Sequence, residues 1–141
     1  MTTGTLAEHL AKVDMFSGLD HATLDALVQR GTTMTFPPGR VVAEQDRDGS
    51  TFHLVLDGSA AVAVNGVERG TLSEGNYFGE MSLIDGAPRS ATVVAGADGL
   101  KTFTVSQLSF SELLDEQPHV ARQLCESLVE RIRKIEAARA E

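Results

Sequence analysis

The sequence has one cysteine, Cys125, among its 141 residues. No disulfide can form within the chain, and a reducing compartment is the expected setting. No apolar run approaches the roughly 20 residues that a membrane-crossing helix needs. The start, Met1 to Glu8, lacks the basic-then-apolar pattern of a secretory signal. Together these absences predict a soluble, cytoplasmic protein. Positive charge is scarce as well: 12 lysines and arginines stand against 20 aspartates and glutamates, for a net charge of −8. Nucleic-acid binding draws much of its affinity from cations that displace phosphate counterions, so none is expected here. The cations that do gather late, Arg131, Arg133, Lys134 and Arg139, are interleaved with Glu126, Glu130, Glu136 and Glu141. That stretch reads as a solvated helix face with spaced ion pairs.

Catalytic and metal-binding constellations are missing too. His9, His21, His53 and His119 are scattered without a metal-ligand spacing. There is no Gly-x-Ser-x-Gly and no phosphate-binding Gly-x4-Gly-Lys-Ser/Thr. Asp46-Arg47-Asp48-Gly49 resembles the start of a calcium loop, but its glycine comes at the fourth position instead of the sixth and the closing glutamate is absent. Cys125 falls on an apolar helical stripe and reads as an inert core cysteine, not a nucleophile. Neither an enzyme nor a resident cofactor or metal is expected.

What is present is an ordinary globular chain, 42% hydrophobic and 23% charged, long enough to bury a core as a single domain over residues 1–141. Three regions follow one another. Residues 1–31 carry two helical patterns: Leu6, Leu10 and Val13, then 19–30, with Asp20 as its cap and Gly31 as its stop. Residues 32–105 break into short apolar runs separated by turn signals, among them Pro37-Pro38-Gly39, Asp48-Gly49, Asp57-Gly58 and Gly96 to Gly99. Asn65-Gly66 between two apolar runs predicts a two-residue hairpin, since both residues tolerate positive φ. Strands recurring this often predict a sandwich, jelly roll or barrel. Residues 106–141 are helical again, with Ser106 as a cap and Pro118 in the first turn of the last helix. On that helix Cys125, Leu128, Ile132 and Ile135 form a stripe, read first as packing on its own domain and second as a short dimer seam.

One segment departs from the strand rhythm. Between the runs ending at Leu72 and starting at Ala91, Glu80-Met81-Ser82-Leu83-Ile84 is long enough for one helical turn, preceded by Gly79 and ended by Gly86 and Pro88. Gly79 has no side chain to block a ligand, and the first amides of a helical turn have no internal partners, which suits an anion. Arg89 can return to the same spot, where its planar fork matches two oxygens of a phosphate. Glu80 would sit poorly against a phosphate but well against a neighbouring sugar hydroxyl. The constellation suits a ligand with one negative phosphate and an adjacent free hydroxyl. The bland alternative is a surface ion pair between Glu80 and Arg89, worth little. Phe78 and Leu83 read as core anchors and Tyr77 as packing.

Phe78-Gly79-Glu80-Met81-Ser82-Leu83, followed by Pro88-Arg89-Ser90-Ala91-Thr92-Val93, resembles the phosphate-binding cassette of the cyclic nucleotide-binding domain family. The bacterial catabolite activator protein, protein kinase A regulatory subunits and cyclic nucleotide-gated channels belong to that family. The resemblance implies an α+β fold: an eight-stranded antiparallel β-roll of the jelly-roll type holding the cassette at 78–91, flanked by N-terminal helices and two C-terminal helices. It implies that Glu80 bonds the ribose 2′-hydroxyl and Arg89 the exocyclic phosphate oxygens. Gly79, Met81, Ser82 and Ala91 would add main-chain amides, and Ser90 its hydroxyl. cGMP-selective members commonly carry a threonine directly after the arginine or one position along, so Ser90 leans toward cAMP over cGMP. Leu128, Arg131 and Ile132 on the last helix are the candidate cap over the purine. The implied role is a stand-alone bacterial regulatory module that signals by movement of its C-terminal helix to an effector protein, with a homodimer through that helix as a candidate assembly.

Two positions depart from the family pattern. Gln45-Asp46-Arg47 stands where many members have Glu-Gly-Asp, which places Asp46 where positive φ is wanted, and Ser50 stands where aspartate is common. Aspartate is among the few residues that visit that region. The alternative to a nucleotide receptor is a degenerate β-roll that serves as an interaction or dimerisation module. Whether the chain is the sensor part of a larger protein stays open.

Overall fold

Two residues with positive φ, Asn65 at 52° and Gly66 at 78°, close the hairpin that the Asn-Gly pair predicts. In the computed structural model, which describes residues 3–47 and 51–140, this hairpin joins strands β3 (Thr51–Val64) and β4 (Val67–Leu72). The predicted Asp48-Gly49 turn and Ser50 lie outside the described residues. The other strands are β1 (Thr32–Phe36), β2 (Val41–Ala43), β5 (Tyr77–Phe78) and β6 (Thr92–Ser106). All pairings are antiparallel, in the order β1-β6-β3-β4, with β2 added to β6 and β5 to β3.

The eight strand segments expected appear as six strands, because two pairs of segments are continuous. Phe52 to Leu56 and Ala60 to Val64 merge into β3, and the run expected at 91–95, from Thr92 on, joins 100–105 in β6. The chain bends between them without losing its partner. Gly58 (φ 79°), which lies opposite Leu100, packs against Gly99 (φ 76°) at the bend, with register shifts around Val55/Asp57 and Gly58/Ala60. The Gly99 carbonyl occupies the place where a Cβ at Gly58 would stand. A turn signal in sequence has become a bend inside a ladder, as bulges allow.

The chain divides into two compact units: residues 30–111, and residues 1–29 with 112–141. The strand unit packs around Ala43, Val55, Ala60, Val93, Ala95 and Leu100, with Phe36, Leu72 and Phe78 against them. It also carries α3 (Ser82–Asp85), whose end Gly86 adopts the left-handed conformation (φ 63°) and donates its N–H to Ser82 O, a glycine stop of the expected kind.

The helical unit contains α1 (Thr3–Leu10), a 3-10 turn at Asp14–Phe16, α2 (His21–Gln29) and α5 (Pro118–Ala140); α4 (Gln107–Glu116) begins in the strand unit. Asp20 caps α2, accepting from Thr23 N–H at 2.8 Å. Ser106 caps α4, its Oγ accepting from Ser109 N–H at 3.1 Å. The packed face of α5 is Val120, Leu124 and Ser127, not the Cys125 stripe. Cys125, Ile132 and Ile135 are exposed and Leu128 is half-buried, so neither the buried cysteine nor the self-packing stripe is found. Both stripes have legitimate helical spacing, and the choice falls to the one where Ser127 meets the close approach of Gly18. Among the described residues no helix is long and apolar enough to cross a membrane.

Candidate nucleotide-binding site

The cassette begins where β5 pairs with β3, His53 opposite Phe78 and Leu54 opposite Tyr77. Phe78 packs on the core cluster, and its ring stacks on that of His53 with centroids 4.6 Å apart and planes 7° from parallel. Leu83, 1% exposed, anchors the far side of the turn. Between these anchors the chain passes through Gly79 at φ 82°, a conformation that side chains with a Cβ rarely take. It then enters the turn of Glu80 and Met81 that leads into α3. Leu83 N–H reaches Glu80 O and Ile84 N–H reaches Met81 O, so the amides of Glu80, Met81 and Ser82 precede the helical ladder. The Ser82 hydroxyl donates to Ala87 O at 3.3 Å, and Asp85 Oδ1 accepts from Ala87 N–H at 2.9 Å. These bonds fold the Gly86 to Pro88 return back on the turn.

That return delivers Arg89. The side chain is 8% exposed, and its Nη2 donates to the main-chain carbonyl of Thr51. Nη1 is shielded from solvent and has no hydrogen-bond partner. A Cβ on Gly79 would fall on Nη1 and within 2.6 Å of Thr51 O, so the missing side chain of Gly79 is what gives the guanidinium its berth. Burial disfavours the Arg89 charge, and the field of the Glu80 carboxylate works in the opposite sense. The ion pairs of the described residues do not include one between Glu80 and Arg89. The bland reading of a mutual surface salt bridge therefore fails, and the guanidinium keeps its unsatisfied donor.

A cleft of about 260 Å³ opens beside these groups. All seven ligand residues expected from sequence, Gly79, Glu80, Met81, Ser82, Arg89, Ser90 and Ala91, line it. Sequence reasoning missed its floor, Ala43 and Val93, both buried; inward alternation along β2 and β6 is the signal that would have found them. It also missed Thr51, which acts through a carbonyl that no residue type announces. The candidate cap residues Leu128, Arg131 and Ile132 lie on α5 in the helical unit.

Residues 33–117 match the family model for the cyclic nucleotide-binding domain. The chain belongs to that family. Among its relatives, a cyclic nucleotide-gated potassium channel of Mesorhizobium japonicum is 35% identical over 123 residues, covering 86% of this chain and 34% of the channel. A second such channel, from Rhizobium etli, is 32% identical with the same coverage of both chains. The cyclic nucleotide-binding chain thus spans about a third of the length of these channels. Of solved structures, the N-terminal domain of a transcriptional regulator from Streptomyces coelicolor shares the fold with a TM-score of 0.80 at 22% identity, over 92% of this chain and 94% of that one. The regulatory domain of Toxoplasma gondii PKA, crystallised with cAMP, aligns with a TM-score of 0.69 at 27% identity, over 91% and 50%. The β-roll fold of the family is therefore the fold of this chain.

Proposed function

We propose that this domain is a receptor for cAMP, in preference to cGMP, and passes the binding event to an effector protein through its C-terminal helix. The observation that carries the reading is Arg89, a residue lining the cleft whose buried guanidinium has one amino nitrogen unpaired. A cyclic phosphate supplies the missing acceptor and the countercharge, and a charge-assisted pair of this kind is worth about 1.5–3 kcal/mol per bond. The amides of the Glu80–Ser82 turn add donors for the same anion, and Glu80 accepts from the ribose hydroxyl. The cAMP preference rests on Ser90, and the Toxoplasma relative solved with cAMP supports it. Leu128, Arg131 and Ile132 are proposed to cap the base.

Isothermal titration tests the reading. Saturable binding of cAMP is expected, tighter than cGMP, and Arg89→Ala should weaken it by about 2 kcal/mol or more, as loss of a charged partner predicts. Absence of heat with either nucleotide at about 1 mM, a concentration that would reveal a binding free energy of only about −4 kcal/mol, overturns it.

A further inference from the structure

We propose that Gln45 is a positioning residue for Arg89, acting through the turn that replaces the family's Glu-Gly-Asp. The proposal rests on the reading of Arg89 as the phosphate ligand.

Gln45 makes a two-point contact with the β3–β4 hairpin tip. Its Oε1 accepts the main-chain N–H of Asn65 at 2.7 Å, and its Nε2 donates to Asn65 Oδ1 at 2.8 Å. Its own main-chain N–H donates to Thr92 Oγ1 at 3.0 Å, three residues beyond Arg89. The next two residues hold Arg89 directly. Asp46 N–H donates to Arg89 O at 2.8 Å, and Arg89 N–H donates to Arg47 O at 3.0 Å. Asp46 takes φ 66° to do so, and Arg47 N–H closes the turn on Glu44 O at 3.1 Å. The main chain of Arg89 is thus clamped on both its polar groups by a turn that Gln45 ties to the β3–β4 hairpin and to the strand that follows. Its guanidinium end is held separately by Thr51 O. A buried arginine fixed at both ends can present its free nitrogen in one place, and binding geometry of that kind is sensitive to shifts of about 1 Å.

The chemistry of the contact supplies a discriminating test. Because Asn65 N–H fixes Oε1 as the acceptor, the partner atom opposite Nε2 must also accept. Asn65→Asp keeps that acceptor, and aspartate tolerates the left-handed φ of the hairpin. Gln45→Glu keeps the acceptor for Asn65 N–H, and the Asn65 amide can turn its NH2 toward the new carboxylate. The double variant Q45E/N65D sets two carboxylates face to face and loses the clamp.

The test measures cAMP affinity for wild type, both single variants, the double variant and Gln45→Ala, from pH 5 to 7.5, with Arg89→Ala alongside. Both singles should bind within about threefold of wild type, the spread expected of independent substitutions. The double and Gln45→Ala should lose about tenfold or more at pH 7.5, and the double should recover as acidification returns a proton to the carboxylate pair. Amide hydrogen exchange at Asp46 and Arg89, read without nucleotide, should accelerate in the double and Gln45→Ala and stay slow in the singles. Wild-type affinity in a folded double variant, or unchanged exchange at Arg89, overturns the positioning role. If wild type and Arg89→Ala bind alike, or wild type binds no nucleotide, the receptor reading fails instead, and exchange alone decides whether Gln45 positions Arg89.

Discussion

His53 supports the cleft from behind: it is not among the lining residues, but it packs on Phe78, which is. Its ring is 4% exposed, stacks on Phe78, and has Nδ1 3.0 Å from Thr102 Oγ1. Burial, with a smaller contribution from the positive charge of Arg89, pushes its pKa from the ordinary 6.5 down to about 4. The unfolded chain takes up this proton near pH 6.5 and the folded one only near pH 4, so His53 costs nothing above about 6.5 and destabilises the fold progressively as pH falls between the two. A shift of this size corresponds to about 3 kcal/mol at the bottom of that interval. Urea unfolding from pH 7.5 to 4.5 should show the decline, and His53→Phe, which keeps the stack on Phe78, should flatten it. An unchanged slope in His53→Phe would assign the acid sensitivity to other groups.

At the scale of elements, the bends of β3 and β6 decide whether the sheet can curl. Gly58 and Gly99 meet back to back there, and a Cβ at Gly58 would collide with the Gly99 carbonyl. Gly58→Ala adds this collision to the strain of φ 79°, so the expected loss is about 2 kcal/mol or more, measured as a lower urea midpoint at constant slope. Loss below about 0.5 kcal/mol would mean the bend relaxes freely. The same elements show what was legible beforehand. The spans of β1 and β4, the Asn65-Gly66 hairpin, the Asp20 and Ser106 caps and the cassette turn rest on local chemistry, and the residues themselves declare them. Whether Asp57-Gly58 ends a strand or bends one depends on the partner strand, which no local window contains. The packed face of α5 is not legible in the sequence, because two overlapping stripes, one through Leu124 and one through Cys125, satisfy the same periodicity. The Thr51 carbonyl beneath Arg89 and the Gln45–Asn65 clamp join main-chain atoms or amides far apart in sequence, where residue type carries little signal.

For the whole molecule, the proposed receptor role requires that an anion held by the strand unit bias α5, which belongs to the helical unit. A ligand can bias α5 only by the difference between its affinities for two arrangements, and couplings of this kind typically amount to about 1–3 kcal/mol. The packed face of α5 is confined to Val120, Leu124 and Ser127, while Val129, Ile132 and Ile135 are each about half exposed (48%, 53% and 52%). The second half of the helix therefore has little apolar burial to oppose a change, and segments poor in buried contacts open first. Saturation with cAMP should then change amide exchange along 128–138 by about fivefold or more, the lower end of that coupling, while 120–127 stays near its unliganded rate. Binding that protects Gly79 to Ala91 and leaves the whole of α5 untouched would mean that the helix is not the output, and that the signal leaves through the strand unit itself.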